Sequence, residues 1–280
     1  MHVAVVFHLL PPAPRATVRT RALGAHGGEI NSRCLAALMG SLQQAFASGT
    51  LSVASLTVVM GQGSSVMPVL AGGFDEEFNA VRRLLSRATY PTRLVPTMVA
   101  ELEGGVCGIA KGQQADLLYM VESSTLHGPD SVTALVSAYQ RCSSLVAGDL
   151  ILTPLAAREG DGGGELSADD GAGLQWRTLQ RSSRTLMLTP AVLERFWEVF
   201  DFDSRRWRAG RQAVGNDLDA MHRLMPCLAP TPALALALYG DEPVPADIPA
   251  AAWWQLSQEA PQEAPRRVGG TVQREAESSL

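Results

Sequence analysis

The densest run of reactive side chains in this sequence is Glu122-Ser123-Ser124-Thr125-Leu126-His127. It follows directly on the apolar run Leu117-Leu118-Tyr119-Met120-Val121. A carboxylate and an imidazole at one end of a buried strand can move protons, and the hydroxyls between them can hold a polar ligand. The apolar run is short, continuous and preceded by the turn-prone Gly112-Gln113-Gln114, a pattern that predicts a fully buried central strand. In open α/β sheets, ligands collect outside the carboxyl ends of the strands. The abrupt change of polarity at Glu122 is therefore the first candidate site, and the plain alternative is a strand that runs into a loop.

Other clusters carry weaker signals. Gly61-Gln62-Gly63-Ser64-Ser65 follows a predicted strand, where a glycine-rich loop can cradle a phosphate. It matches neither the dinucleotide fingerprint nor the P-loop, so a simple turn is the better reading. Asp161, Asp169 and Asp170 lie in the polar stretch REGDGGGELSADDGAG without the spacing of an EF-hand, which predicts a solvated loop. Cys34, Cys107, Cys142 and Cys227 contain no C-x-x-C pair and read as ordinary buried thiols. Lys111 is the only lysine, and a chain that uses arginine elsewhere says more about codon composition than about phosphate binding. A net charge of −5 argues against nucleic acid as the main partner. No apolar run approaches the length of a membrane span. MHVAVVFHLLPPAP reads as a first strand and not a signal peptide, which makes a cytoplasmic location the expectation.

The elements that must position these groups follow from periodicity. With 280 residues, 46% of them hydrophobic, the chain can bury a sizeable core. Strands are expected at His2–Leu10, Ser52–Met60, Thr92–Val99, Leu117–Val121 and within Leu145–Leu155. Helices are expected at Glu29–Ala47, capped by Asn31 or Ser32, at Asp75–Ala88 and at Pro129–Cys142. Pro11–Gly28 reads as a loop, and the glycine-rich Gly104–Lys111 either lies over a ligand or leads into the central strand. Strand–helix alternation over the first 155 residues predicts an α/β fold with a mostly parallel sheet flanked by helices. Further on, Arg158–Gly173 reads as a mobile loop and Gln175–Leu188 as a β-hairpin or strand pair. Thr189 caps a helix with Pro190 in its first turn that runs to about Phe200. Asp217 caps a helix over Leu218–Met225, Pro226–Tyr239 is an apolar connector, and Trp253-Trp254 clamps back onto the domain. One domain over residues 1–256 and a disordered tail over 257–280 are expected.

Three of these segments, in this order, resemble one family. DLLYMVESSTLH is similar to the strand of GT-A glycosyltransferases that ends in an acidic pair, which in one subgroup reads much like vEDDyLH. Glu122, Leu126 and His127 match, while Ser123 and Ser124 stand where two aspartates are expected. WRTLQRSSRTLMLTPAVLERF resembles the subgroup's W-R strand, its Ser/Thr-rich continuation and the helix after it. NDLDAMHRL, Asn216 to Leu224, resembles the helix whose acidic N-terminus faces the acceptor. The resemblance covers roughly residues 1–240 and implies a GT-A-like (Rossmann-like) sheet and transfer from a nucleotide sugar.

The departure from the pattern has a physical consequence. In that family the acidic pair holds Mg²⁺ or Mn²⁺ against the diphosphate of the donor. Serine is neutral and a poor ligand for a hard cation, and Tyr239 stands near the place of the family's C-terminal metal-binding histidine. The resemblance therefore implies a metal-independent, glycosyltransferase-like enzyme acting on a small molecule in specialised biosynthesis, with no cofactor besides a nucleotide-sugar donor. Lys111, Arg177, Arg181 and Arg184 would neutralise the diphosphate. Ser123, Ser124 and Trp176 would line the substrate, and Asp217 or Asp219 would act as general base on the acceptor hydroxyl. Two alternatives stand beside it. The scaffold could be repurposed for acid–base chemistry on a small metabolite, using Glu122, His127, Asp217 and Asp219. Or the chain could be a catalytically silent subunit paired with an active homologue. A homo-oligomer or a homologous partner is compatible with each, and neither membrane nor nucleic acid is expected.

Overall fold

A computed structural model describes residues 1–9, 16–25, 29–61, 71–97, 105–156, 168–169, 174–179, 184–201, 221, 224–239 and 242–258. The valine- and leucine-rich runs form β1 (His2–Leu9), β2 (Val53–Gly61), β3 (Thr92–Thr97) and β4 (Leu117–Glu122). They lie side by side, all parallel, in the order β3-β2-β1-β4. Continuous apolar sequence suits strands buried on both faces, and Val3 to Phe7 and Leu117 to Val121 are buried throughout.

Beyond β4 the sheet becomes mixed. β9 (Leu186–Leu188) runs antiparallel to β4 and to β6 (Ile151–Leu152). β10 (Cys227–Thr231) pairs parallel with β6 and antiparallel with β8 (Gln175–Thr178), and β7 (Ala168–Asp169) pairs with β8 at the end of a sheet that has nine strands among the described residues.

Alternating side chains supply both faces of this sheet, and helices cover each. On one face Val5 and Phe7 of β1 and Leu117, Tyr119 and Val121 of β4 share a core with α2 (Ile30–Ala47), α3 (Ala71–Leu85), α5 (Ser131–Leu145) and α7 (Ala250–Leu256). On the other, Ala4, Val6, Leu118, Met120, Leu186 and Leu188 pack with Ala110 of α4 (Gly105–Lys111) and with Val192 and Leu193 of α6 (Pro190–Arg195). The period-2 alternation of each central strand is thus spent on two cores. The molecule is α/β, with a mostly parallel sheet flanked by helices.

A second, two-stranded sheet pairs β5 (Thr125–His127) with β11 (Ala235–Ala237). Helix α7, the last of the described elements, seals it. A Cβ on Gly128 would lie 2.7 Å from the Trp253 ring, so only glycine admits the indole there. Trp254 is buried beside α2, with the Arg33 guanidinium 4.2 Å over its ring. The expected Trp253-Trp254 clamp therefore holds.

Several boundaries differ from the sequence expectation. The segment expected as a loop over Pro11–Gly28 contains α1 (Val18–Ala22), capped by Thr17, whose hydroxyl accepts from the Thr20 amide. Arg19 fixes α1 in place by donating to the carbonyls of Ala237 and Glu242. Helix α2 starts after Glu29 with no side-chain cap: Asn31 is buried in its first turn, and the Ser32 hydroxyl donates to the Glu29 carbonyl. Gly105–Lys111 is helix, since Val106, Ile109 and Ala110 find an apolar sheet face to cover. Gln175–Leu188 holds two strands that do not pair with each other. Leu186–Leu188 is buried on every side and belongs in the sheet's centre, whereas exposed Gln175 and Arg177 alternate with buried Trp176 and suit a place near the edge. Pro226–Tyr239 forms β10 and β11, because burial of Cys227 to Pro230 outweighs the missing proline donor. The expected tail lies outside the described residues from 259 onward.

Candidate functional site

The carboxyl ends of β1 and β4 and the amino end of β9 meet at one edge of the sheet. Parallel register sets His8 beside Glu122. Antiparallel register pairs Met120 with Leu186, and continuing it by two residues sets Glu122 opposite Arg184. The alternation that sends Val6, Met120 and Leu186 to the α4/α6 face sends His8, Glu122 and Arg184 to that same face. Three polar side chains thus form a row across three adjacent strands, spanning about 10 Å at the ~4.8 Å spacing of strands.

The row ends a buried interior. Arg184 Nη1 lies 4.0 Å from Glu122 Oε1, and the two side chains are 35% and 29% exposed. A cross-strand pair of opposite charge is favourable, though modest in water. Burial, and after it the neighbouring Arg184 charge, lower the pKa of His8 to about 4, so the imidazole is neutral near pH 7. Thr185 ties the strands together behind the row. Its hydroxyl accepts from the Glu122 amide at 3.3 Å and meets the Thr125 hydroxyl at 3.1 Å.

Ser123 and Ser124 make the turn between β4 and β5, and both are buried. The Ser123 amide donates to the His8 carbonyl at 2.9 Å, and the Ser124 carbonyl accepts from the Leu238 amide at 2.8 Å. Two aspartates in this turn would put a pair of carboxylates in the same interior.

His127 lies on the other side of the sheet, 2% exposed. The Thr125 carbonyl can only accept, so Nδ1 carries the proton and donates to it at 3.1 Å. Nε2 then accepts from the Tyr119 hydroxyl at 2.6 Å, in an edge-on ring contact. Both ring nitrogens are engaged in the interior, and burial lowers the His127 pKa to about 4.

The other expected groups are dispersed. Lys111 ends α4 before the amino end of β4, roughly 17 Å of strand away from Glu122. It pairs with Glu194 at 2.9 Å and lies 4.3 Å over the Trp197 ring, which binds α4 to the helical chain beyond Thr189. Trp176 is fully buried within the α2/α5 core. Arg177 is exposed on β8, four strand spacings or about 19 Å from β4. Arg181, Asp217 and Asp219 lie outside the described residues. Met221, two residues beyond Asp219, is buried in the core on the same face as the row. His8 and Thr185 are the groups that sequence reasoning passed over. A histidine at the carboxyl end of a predicted parallel strand was the available signal.

The donor set does not fit a hard divalent cation. Such ions ask for several oxygen ligands, usually including carboxylates. Here Glu122 faces a guanidinium, both serines are built into a turn, and the described residues contain no group of three or more metal-binding side chains.

No family model and no curated relative match the chain. Among solved structures it is similar to residues 1–349 of S. aureus TarS, at 10% identity and a TM-score of 0.44, over 82% of this chain and 58% of that one. It is similar to a nucleotidyl transferase from Methanothermobacter thermautotroptrophicus, at 11% identity and a TM-score of 0.42, over 81% and 85% of the two chains. A UDP-glucose pyrophosphorylase complexed with UDP-glucose gives 11% identity and a TM-score of 0.42, over 82% and 90%. The chain spans less than two thirds of the TarS fragment's length. Likeness of this grade is one of chain path and carries no argument about activity. Among the described residues, no helix is long and apolar enough to cross a membrane.

Proposed function

We propose that this chain is a glycosyltransferase-like enzyme that binds a nucleotide sugar at the carboxyl edge of its sheet and transfers to a small-molecule acceptor without a metal ion. One observation carries the reading: the two segments that resemble GT-A sequences, around Glu122 and around Arg184, converge there although more than 60 residues separate them in sequence. The guanidinium of Arg184 would take the negative charge that grows on the leaving diphosphate. Neutral His8 would orient the donor through a hydrogen bond, and Glu122 would hold the guanidinium in place until the donor arrives. Asp217 or Asp219, on the segment that leads into buried Met221, would accept the acceptor's hydroxyl proton. Lys111, Arg177, Trp176 and His127 have no part in this proposal, since each is held elsewhere or lies far from the row.

The test is thermal melting with UDP-, GDP- and dTDP-sugars, each with Mn²⁺ and with a chelator. A donor at a hundred times its dissociation constant stabilises the fold by about 2.7 kcal/mol. A shift that ignores Mn²⁺ supports the proposal, and the absence of any shift sinks it. A second reading draws on neutral His8 beside a carboxylate, an arrangement suited to proton transfer on a small metabolite in a repurposed scaffold. It predicts stabilisation by carboxylated or carbonyl-bearing metabolites and none by nucleotides.

A further inference from the structure

We infer that Arg184 is a built-in cation at the end of β4, held in readiness by Glu122, and that an incoming phosphate displaces the Glu122 carboxylate from it. The inference deepens the proposed function and rests on it for the identity of the nucleotide.

The argument is one of charge and register. Glu122 and Arg184 face each other across adjacent antiparallel strands, on the side of the sheet that also carries His8. At 4.0 Å, and with about a third of each side chain exposed, the pair is loose. Partly exposed pairs of this kind contribute little to stability. A diphosphate offers more charge than one carboxylate and can engage the guanidinium fork bidentately. The carboxylate holds the guanidinium over the edge between turnovers, and it yields when a stronger anion arrives. His8 adds no competing charge, and its strand β1 lies on the side of β4 away from β9. Thr185 anchors the amino end of β9 to the β4 turn through the Glu122 amide and the Thr125 hydroxyl, so the guanidinium stands on fixed backbone.

This arrangement inverts the role of the carboxylate. Where carboxylates hold a metal, neutralising one removes the cation and with it the affinity for the diphosphate. Where the cation is Arg184, neutralising Glu122 removes a competitor. Glu122→Gln and Arg184→Gln must therefore move anion affinity in opposite directions.

The experiment is calorimetric titration of the full chain with inorganic pyrophosphate and with UDP, in chelator and in Mn²⁺, for wild type, E122Q, R184Q and R184K. Arg184→Gln is expected to weaken both probes tenfold or more. Arg184→Lys, which keeps the charge and loses the fork, should fall between R184Q and wild type. E122Q is expected to bind both probes as tightly as wild type or a few-fold tighter, with Mn²⁺ without effect. Loss of binding in E122Q equal to that in R184Q, or binding that needs Mn²⁺, overturns the inference. So does wild-type UDP binding that R184Q and R184K leave unchanged, and in that case the nucleotide-sugar reading still stands. Arginine-dependent pyrophosphate binding without any UDP or UDP-sugar binding upholds the anion site and overturns the nucleotide-sugar reading. Melting curves of each variant identify any that fails to fold, and R184K then carries the comparison.

Discussion

Two histidines flank the central strand β4, His127 on one face of the sheet and His8 on the other. Burial holds both near a pKa of about 4. They nevertheless differ in every other respect. His127 spends both ring nitrogens on interior partners, Thr125 and Tyr119, in a network that α7 covers from outside. His8 stands at the end of its strand, in a row with Glu122 and Arg184 whose side chains reach water. A depressed pKa is thus common to a structural and a candidate functional imidazole. What separates them is where the strand ends and what lies beside the ring.

The sharpest way to break this comparison is to remove the sealed imidazole. His127→Ala leaves a cavity and an orphaned Tyr119 hydroxyl, and is expected to cost about 3 kcal/mol in urea unfolding. A cost below about 1 kcal/mol would mean that the network does not hold β5 in place.

Acid separates the pair more gently. A histidine whose pKa is lower in the folded state than in the unfolded chain binds its proton more readily when unfolded. Its contribution is complete above about pH 6.5, and stability falls as pH drops from there towards about 4. The slope in that window is at most about 1.4 kcal/mol per pH unit for each such histidine. His127→Gln should flatten the fall, and an unchanged slope would remove His127 from the account.

A smaller effect tests the seal itself. Gly128→Ala forces a methyl group against Trp253 and is expected to cost about 1–2 kcal/mol, while anion binding at the carboxyl edge stays as in wild type. The smallest change lies on neither side. Ala147 follows α5 with φ at +50°, in the left-handed region, where Gly24 and Gly49 follow α1 and α2. Ala147→Gly should therefore raise stability by roughly 0.5–1 kcal/mol in the same unfolding assay, against a loss if the position is unstrained.

How legible all this was in the sequence varies with the range of the interaction. β1, β2 and β4 declare themselves because a run buried on both faces has no choice but to be apolar, and the break at Glu122 marks the strand's end. The pairing partners of Leu186–Leu188 were not legible, since order within a sheet is set by strands far apart in sequence. α4 hid behind its glycines, and β10 and β11 behind prolines, because burial overrode local propensity. Lys111 resembled a ligand until Glu194 and Trp197, more than eighty residues away, arrived beside it. His8 is hard to single out because its sequence neighbours Phe7 and Leu9 are apolar and no polar run marks the end of its strand. The carboxyl-edge rule that singled out Glu122 applies equally to His8, one strand away.

The most direct test of the central claim follows the ring resonances of the two histidines by NMR while UDP is added in the presence of a chelator. The account predicts that the His8 signals move and saturate with the ligand while those of His127 stay fixed. A His8 ring that does not respond, at UDP concentrations that shift the melting temperature, would put the ligand elsewhere and contradict the assignment of the site to the row of His8, Glu122 and Arg184.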